Sequence, residues 1–153
     1  ESEARLTEFW GDLKDQMKIS KIDFLDRVSA KHHYNIGFWK GEGKFAFCIG
    51  KYSNRVELYF SNDANKVLFD TMKQHKEEID EHLNNLVVWE RLDNKKASRI
   101  KYEMPLDQYK VIEGRFNDKT NWKEWIDWYI GSMTKFYEVV FPIWEKVQKD
   151  LAK

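Results

Sequence analysis

The sequence predicts an α+β fold: an antiparallel sheet of about five strands, a three-strand meander plus a hairpin, packed against three main helices. Three observations lead there. Short stretches alternate apolar and polar residues with period two and are separated by turns, the mark of antiparallel strands. Longer stretches repeat apolar residues every three or four positions before, between and after them, the mark of amphipathic helices. Seven Trp, seven Tyr and ten Phe in 153 residues supply the core, at roughly 150–250 Å² removed from water per ring.

The first helix is expected over Ala4–Met17, where Leu6, Phe9, Trp10, Leu13 and Met17 fall on one face. A short helix is expected around Phe24–Val28. The meander follows as Tyr34–Lys40, Lys44–Gly50 and Arg55–Phe60, with Gly41-Glu42-Gly43 as the first tight turn. Period two sends Phe45, Phe47, Ile49, Val56, Leu58 and Phe60 to one face. It sends Ala46, Cys48, Gly50, Arg55, Glu57 and Tyr59 to the other.

Ser61-Asn62-Asp63 signals a helix start, and one helix is expected over Ala64–Leu83. Leu86–Arg91 and Lys96–Met104 form a second hairpin around Leu92–Lys95, ended by Pro105. This loop length sets Trp89 opposite Ser98 and Val87 opposite Ile100. Residues 106–121 form a looser connection. The last helix runs from Thr120 or Asn121 to Leu151, and Pro142 is expected to kink or divide it. No linker or repeat interrupts the pattern, so residues 1–153 are expected to form a single domain. A start at Glu1 suggests a segment excised from a longer chain.

Lys and Arg together number 26, as do Asp and Glu, which argues against a dominant nucleic-acid-binding field but not against a local basic patch. One cysteine, Cys48, excludes an internal disulfide and fits a reducing cytoplasm. No apolar run approaches the roughly 20 residues of a membrane span. His32-His33 would point to opposite faces of a strand, and His75 and His82 add no ligand spacing, so no metal or cofactor is expected. Glu42-Gly43-Lys44 and Asp93-Asn94-Lys95 fall in turns and Asp12-Leu13-Lys14 on a helix, so none forms a Mg²⁺ nuclease site. No catalytic residue is assigned.

Two places could bind a partner. The second face of the meander offers a trough of small residues, Ala46, Cys48 and Gly50, bordered by Trp39, Arg55, Glu57 and Tyr59. The alternatives are a solvated face with internal ion pairs, or a face covered by a helix. In the second hairpin, Arg91, Lys96, Arg99 and Lys101 could touch phosphates while Trp89 or Tyr102 stacks on a base, with Glu90 beside Arg99. The alternative is a cross-strand ion-pair set that fixes register. Trp125 and Trp128 lie off the main stripe of the last helix, which suits a helix buried on two sides or a dimer interface.

Arg55-Val56-Glu57-Leu58-Tyr59-Phe60, and Trp89-Glu90-Arg91-Leu92-Asp93 with Lys96-Ala97-Ser98-Arg99-Ile100, resemble a prokaryotic domain-of-unknown-function family. The similarity runs from the Phe9-Trp10 helix to the Trp122–Phe141 helix and includes Asn65-Lys66 through Phe69-Asp70 and the Lys76–Ile79 segment. The resemblance implies a cytoplasmic accessory module, often the C-terminal part of proteins with restriction-type or other nuclease-like N-terminal regions. It carries no reaction and no catalytic residues. The expected function is therefore non-catalytic assistance in nucleic-acid recognition, with weak, salt-sensitive binding of DNA. The expected partners are a nuclease-like region of the same protein and DNA. The alternative is a protein-interaction or homodimerisation module.

Overall fold

A computed structural model describes residues 2–51, 53–105, 108, 116 and 118–153. Helix α1 spans Ser2–Ile19. Its predicted stripe of Leu6, Phe9, Trp10, Leu13 and Met17 is buried throughout. Lys21 ends it by adopting a φ of 59°, and the Ile22 N–H returns to the Met17 carbonyl at 2.8 Å. The short helix expected at Phe24–Val28 is instead a run of turns. Leu25 enters the core while the adjacent Phe24 stacks on Phe38 at 5.1 Å, and these side-chain anchors override the local pattern.

The strands are β1 (Asn35–Lys40), β2 (Gly43–Ile49), β3 (Asn54–Phe60), β4 (Val87–Glu90) and β5 (Ser98–Glu103). They form one antiparallel sheet in the order β1-β2-β3-β5-β4. The α+β class and the five-strand sheet agree with expectation. The chain leaves β3, crosses to the far edge through two helices, lays down β4, and returns β5 into the gap. Phe45 therefore pairs with Leu58, and Leu58 with Ile100, giving a continuous apolar row, each 0 % exposed.

Where one helix was expected over Ala64–Leu83 there are two, α2 (Val67–Lys73) and α3 (Lys76–His82). Lys66, at φ 62°, cannot join a right-handed helix. The first turn of α2 is capped from further back, where the Asp63 carboxylate accepts from the N–H groups of Leu68 and Phe69 at 3.0 Å each. The break after Lys73 is made by tight bonds from Gln74 N–H to Thr71 O and from His75 N–H to Met72 O, and both Met72 and Ile79 end fully buried.

The second hairpin is shifted from its expected register. Trp89 pairs with Ile100 and Val87 with Tyr102, two residues further along β5. Residues 91–97 make a longer loop because they wrap the Lys66 ammonium, which donates to the carbonyls of Leu92 (3.0 Å), Lys95 (2.7 Å) and Ala97 (2.7 Å). A shift of two preserves the faces, because the side-chain period is two.

Helix α4 (Trp122–Leu151) follows a 3₁₀ turn at Lys119–Asn121 and continues through Pro142 without dividing. Val140 and Trp144, either side of the proline, are wholly buried and hold the segment in helical register across the missing bond. The looser connection expected over 106–121 falls mostly outside the described residues. Helices α1 and α4 are bonded to the sheet region. The Tyr129 hydroxyl donates to Cys48 O at 2.6 Å, the Trp144 indole to Lys40 O at 2.8 Å, and the Trp10 indole to His33 O at 2.8 Å. Trp125 is 2 % exposed, and Trp128 packs against the core and stacks on Tyr102 at 6.1 Å. The two tryptophans off the main stripe thus both make contacts within the fold. No described helix is long and apolar enough to cross a membrane.

Candidate functional site

Everything the helices cover lies on one side of the sheet. Period two sends the alternate residues to the other side, and the register places them in rows across the strands. One row runs Trp39, Lys44, Tyr59, Arg99, Glu90. The next runs Gly37, Ala46, Glu57, Lys101, Val88, and the third runs Asn35, Cys48, Arg55, Glu103. Trp39 is 53 % exposed and Val88 40 %, so no described helix closes over this face from either edge. Tyr34, just before β1, is 59 % exposed.

The small side chains of the middle row leave a groove of about 330 Å³. Its floor is Ala46 and Cys48, and its rim carries Trp39, Lys44, Arg55 and Arg99. Gly37 is required beside that floor. A Cβ there would stand 2.2 Å from the Phe45 carbonyl oxygen, so any other residue would push β1 away from β2.

Glu57 is the buried charge of the groove, with its side chain 6 % exposed. The Arg55 Nε donates to its Oε1 at 2.7 Å, and a terminal nitrogen of Arg99 lies 4.0 Å from the same oxygen. Arg99 is held in turn by its Nε, which donates to Glu90 Oε1 at 2.6 Å. Lys101 lies 3.4 Å from Glu90 and 3.5 Å from Glu103. Cations and carboxylates therefore alternate across three strands, which is the register-fixing arrangement foreseen as the alternative for the hairpin. Burial tends to raise the Glu90 carboxyl, but the hydrogen bond and charge of Arg99 and the charge of Lys101 outweigh it, and the net direction is down.

Cys48 is held as the neutral thiol. Burial first, and the Glu57 charge second, push its thiol up to about 12. No group of three or more metal-ligating side chains occurs among the described residues. The thiol is hydrogen-bonded to the Glu57 carboxylate, which Arg55 holds in turn at 2.7 Å. To a ligand the arrangement offers aromatic faces, guanidinium and ammonium donors, and one carboxylate acceptor.

Of the residues singled out from the sequence, Arg55, Glu57, Tyr59 and Arg99 line the groove, and Glu90 and Lys101 stand beside it in the ion-pair network. Three others are elsewhere. Trp89 lies on the helix-covered side, where its indole donates to Asp80 Oδ1 at 2.9 Å and its ring meets Phe69 edge-on at 6.0 Å. Arg91 is exposed in the loop and bonded to Asp70 and Asp93. Lys96 is exposed in the same loop, and its carbonyl accepts from the Asp63 N–H at 2.6 Å. Sequence reasoning missed Lys44, Asn35 and Tyr34 as lining residues. Lys44 shares the parity of Ala46 and Cys48, so the same period-two rule could have placed it.

Comparison with curated proteins finds no match, and comparison with solved structures finds none. A family model does match, over residues 6–143, and the chain belongs to the family described as Domain of unknown function (DUF4268).

Proposed function

We propose that the open face of the sheet binds single-stranded nucleic acid, and that the domain is a non-catalytic accessory module of a prokaryotic DNA-processing or defence protein. One observation carries the binding reading. An uncovered antiparallel sheet face presents the exposed rings of Trp39 and Tyr34 beside Lys44, Arg55 and Arg99. Bases stack on aromatic side chains whatever their sequence, and cations along the same surface meet the phosphates. A duplex hides the faces of its bases, so the preference is for single strands. The setting beside a nuclease-like region rests on the resemblance of the β3 and hairpin motifs described above. The cytoplasmic setting rests on the single reduced Cys48.

The reading is tested by titrating the domain with oligo(dT), oligo(U) and duplex DNA at low salt while following tryptophan emission. Trp39 is the only tryptophan more than half exposed among the described residues, so quenching reports on this face. Expected are quenching by single strands, little by duplex, and a fall in log K with log salt of about −0.7 per phosphate contacted. Trp39→Ala should remove the signal and weaken binding, and Arg99→Ala should flatten the salt slope. Arg91→Ala should change neither. Absence of binding at high micromolar protein, or affinity untouched by Trp39→Ala, would overturn the reading.

A further inference from the structure

The groove has an unusual floor for a surface that only holds a polyanion. Its central charged group, Glu57, is a carboxylate, 5 % exposed and lodged among the cations of the rim. A phosphate is repelled there. A base edge is not, because it brings N–H donors.

From this we infer that the groove seats one nucleobase and reads it as guanine, with Glu57 accepting from the base and a neighbouring guanidinium donating to it. The inference rests on the single-strand reading of the face and deepens it. Three observations carry it. The groove volume of about 330 Å³ is a single small-ligand compartment, at the lower end of the usual range of ~300–1,000 Å³. The middle row beside Glu57 is occupied by Gly37 and Ala46, and the side chain that crosses it is Lys44, which reaches Asn35 Oδ1 at 3.4 Å, so a flat ring lies between Trp39 and the carboxylate once that lysine swings aside. The carboxylate is flanked by donors, Arg55 at 2.7 Å and Arg99 at 4.0 Å, so an acceptor and donors are presented side by side.

The four bases answer that pattern differently. Guanine alone offers two adjacent donors, N1–H and the N2 amino group, which meet both oxygens of one carboxylate. Its O6 stands next to them and accepts from a guanidinium. Thymine and uracil offer one ring N–H between two carbonyls, and the second carbonyl would face a carboxylate oxygen. Adenine and cytosine offer a single amino group beside an unprotonated ring nitrogen, which also faces carboxylate lone pairs. Only guanine satisfies the group without leaving like partners opposed.

The experiment uses the full chain and labelled thymidine hexamers carrying at one central position guanine, hypoxanthine, adenine, cytosine or thymine. The guanine hexamer should bind about tenfold more tightly than the adenine, cytosine and thymine hexamers. Hypoxanthine lacks only the N2 amino group and should fall between. Glu57→Gln should erase the ranking while leaving or raising affinity for the all-thymidine hexamer, because a repulsive charge has gone. A gain on that hexamer could not come from an unfolded domain. Equal affinity for all five hexamers would overturn the guanine reading and leave the single-strand reading standing. A ranking that survives Glu57→Gln would also overturn it, since the discrimination would then lie elsewhere. Failure of every hexamer to bind would overturn both.

Discussion

Replacing Lys66 by Met should destabilise the domain strongly, although the residue lies in a loop and carries a charge. Lys66 is 3 % exposed, and its ammonium has three N–H donors, each used on a different backbone carbonyl. Met keeps the length of the stem and removes the charge, so the effect is confined to those bonds. The bond to Ala97 O is buried, and the bonds to Leu92 O and Lys95 O are partly so. Each buried carbonyl left without a donor costs about 1–3 kcal/mol, so three cost about 3–9 kcal/mol if all are shut off from water. Water can reach the two outer carbonyls, so the expected value is near the lower end, about 3 kcal/mol. The left-handed backbone at φ 62° penalises Lys and Met alike and cancels. Lys66→Arg should not rescue, because a flat fork cannot point at three carbonyls converging on one nitrogen. Urea unfolding followed by far-UV circular dichroism measures the change. A loss below about 1 kcal/mol at unchanged m would show that the loop holds itself without the ammonium.

Four other outcomes are expected. Leu58→Ala, from a side chain fully buried between Phe45 and Ile100, should cost about 2–5 kcal/mol in the same assay, and a small loss would mean the sheet faces are reversed. Gly37→Ala should cost about 1–3 kcal/mol and loosen the β1–β2 ladder, seen as faster amide exchange across that pair alone, because its Cβ would meet the Phe45 carbonyl. Glu90 has a folded-state pKa below the ordinary carboxylate range, so its contribution is full above the unfolded value and is lost as pH falls through the folded one. Glu90→Gln should therefore flatten the acid limb of the stability profile, by about 1 kcal/mol or less since the pair is still reached by solvent at the sheet edge. Cys48, raised to about 12, should resist a thiol reagent at neutral pH in the native state and react at once in denaturant.

The parts of the fold legible in the sequence were those set by period. The α1 stripe, the meander and its two faces all follow from spacing alone, since a slip by one residue would bury Arg55 and Glu57 on the apolar side. The parts that were not legible depend on contacts distant in sequence. Lys66 reads as one more charged helix residue, and nothing local indicates that its ammonium organises a loop about thirty positions later. That single insertion lengthened the hairpin loop and moved Trp89 from opposite Ser98 to opposite Ile100. The hairpin charges were equally mixed. Arg99 and Arg91 look alike in sequence, yet strand parity brings Arg99 to the groove, while Arg91, one residue past β4, bonds Asp70 on α2.

The neutral total charge and the proposed binding face are compatible for a specific reason. Arg55 and Arg99 are each anchored through Nε to a carboxylate, at 2.7 Å and 2.6 Å. An anchored guanidinium contributes less long-range attraction than a free lysine, because its field is largely cancelled by its partner. In exchange its planar fork is already ordered, and little side-chain entropy is lost when a ligand arrives. Such a surface is poor at drawing in nucleic acid and good at discriminating what is brought to it. Weak binding by the isolated domain is then the expected behaviour. Were a second nucleic-acid-binding region joined to it by a short flexible connection, the effective concentration would be of order millimolar. Affinity would come from that tether, and the Glu57 groove would decide which base of the held strand comes to rest.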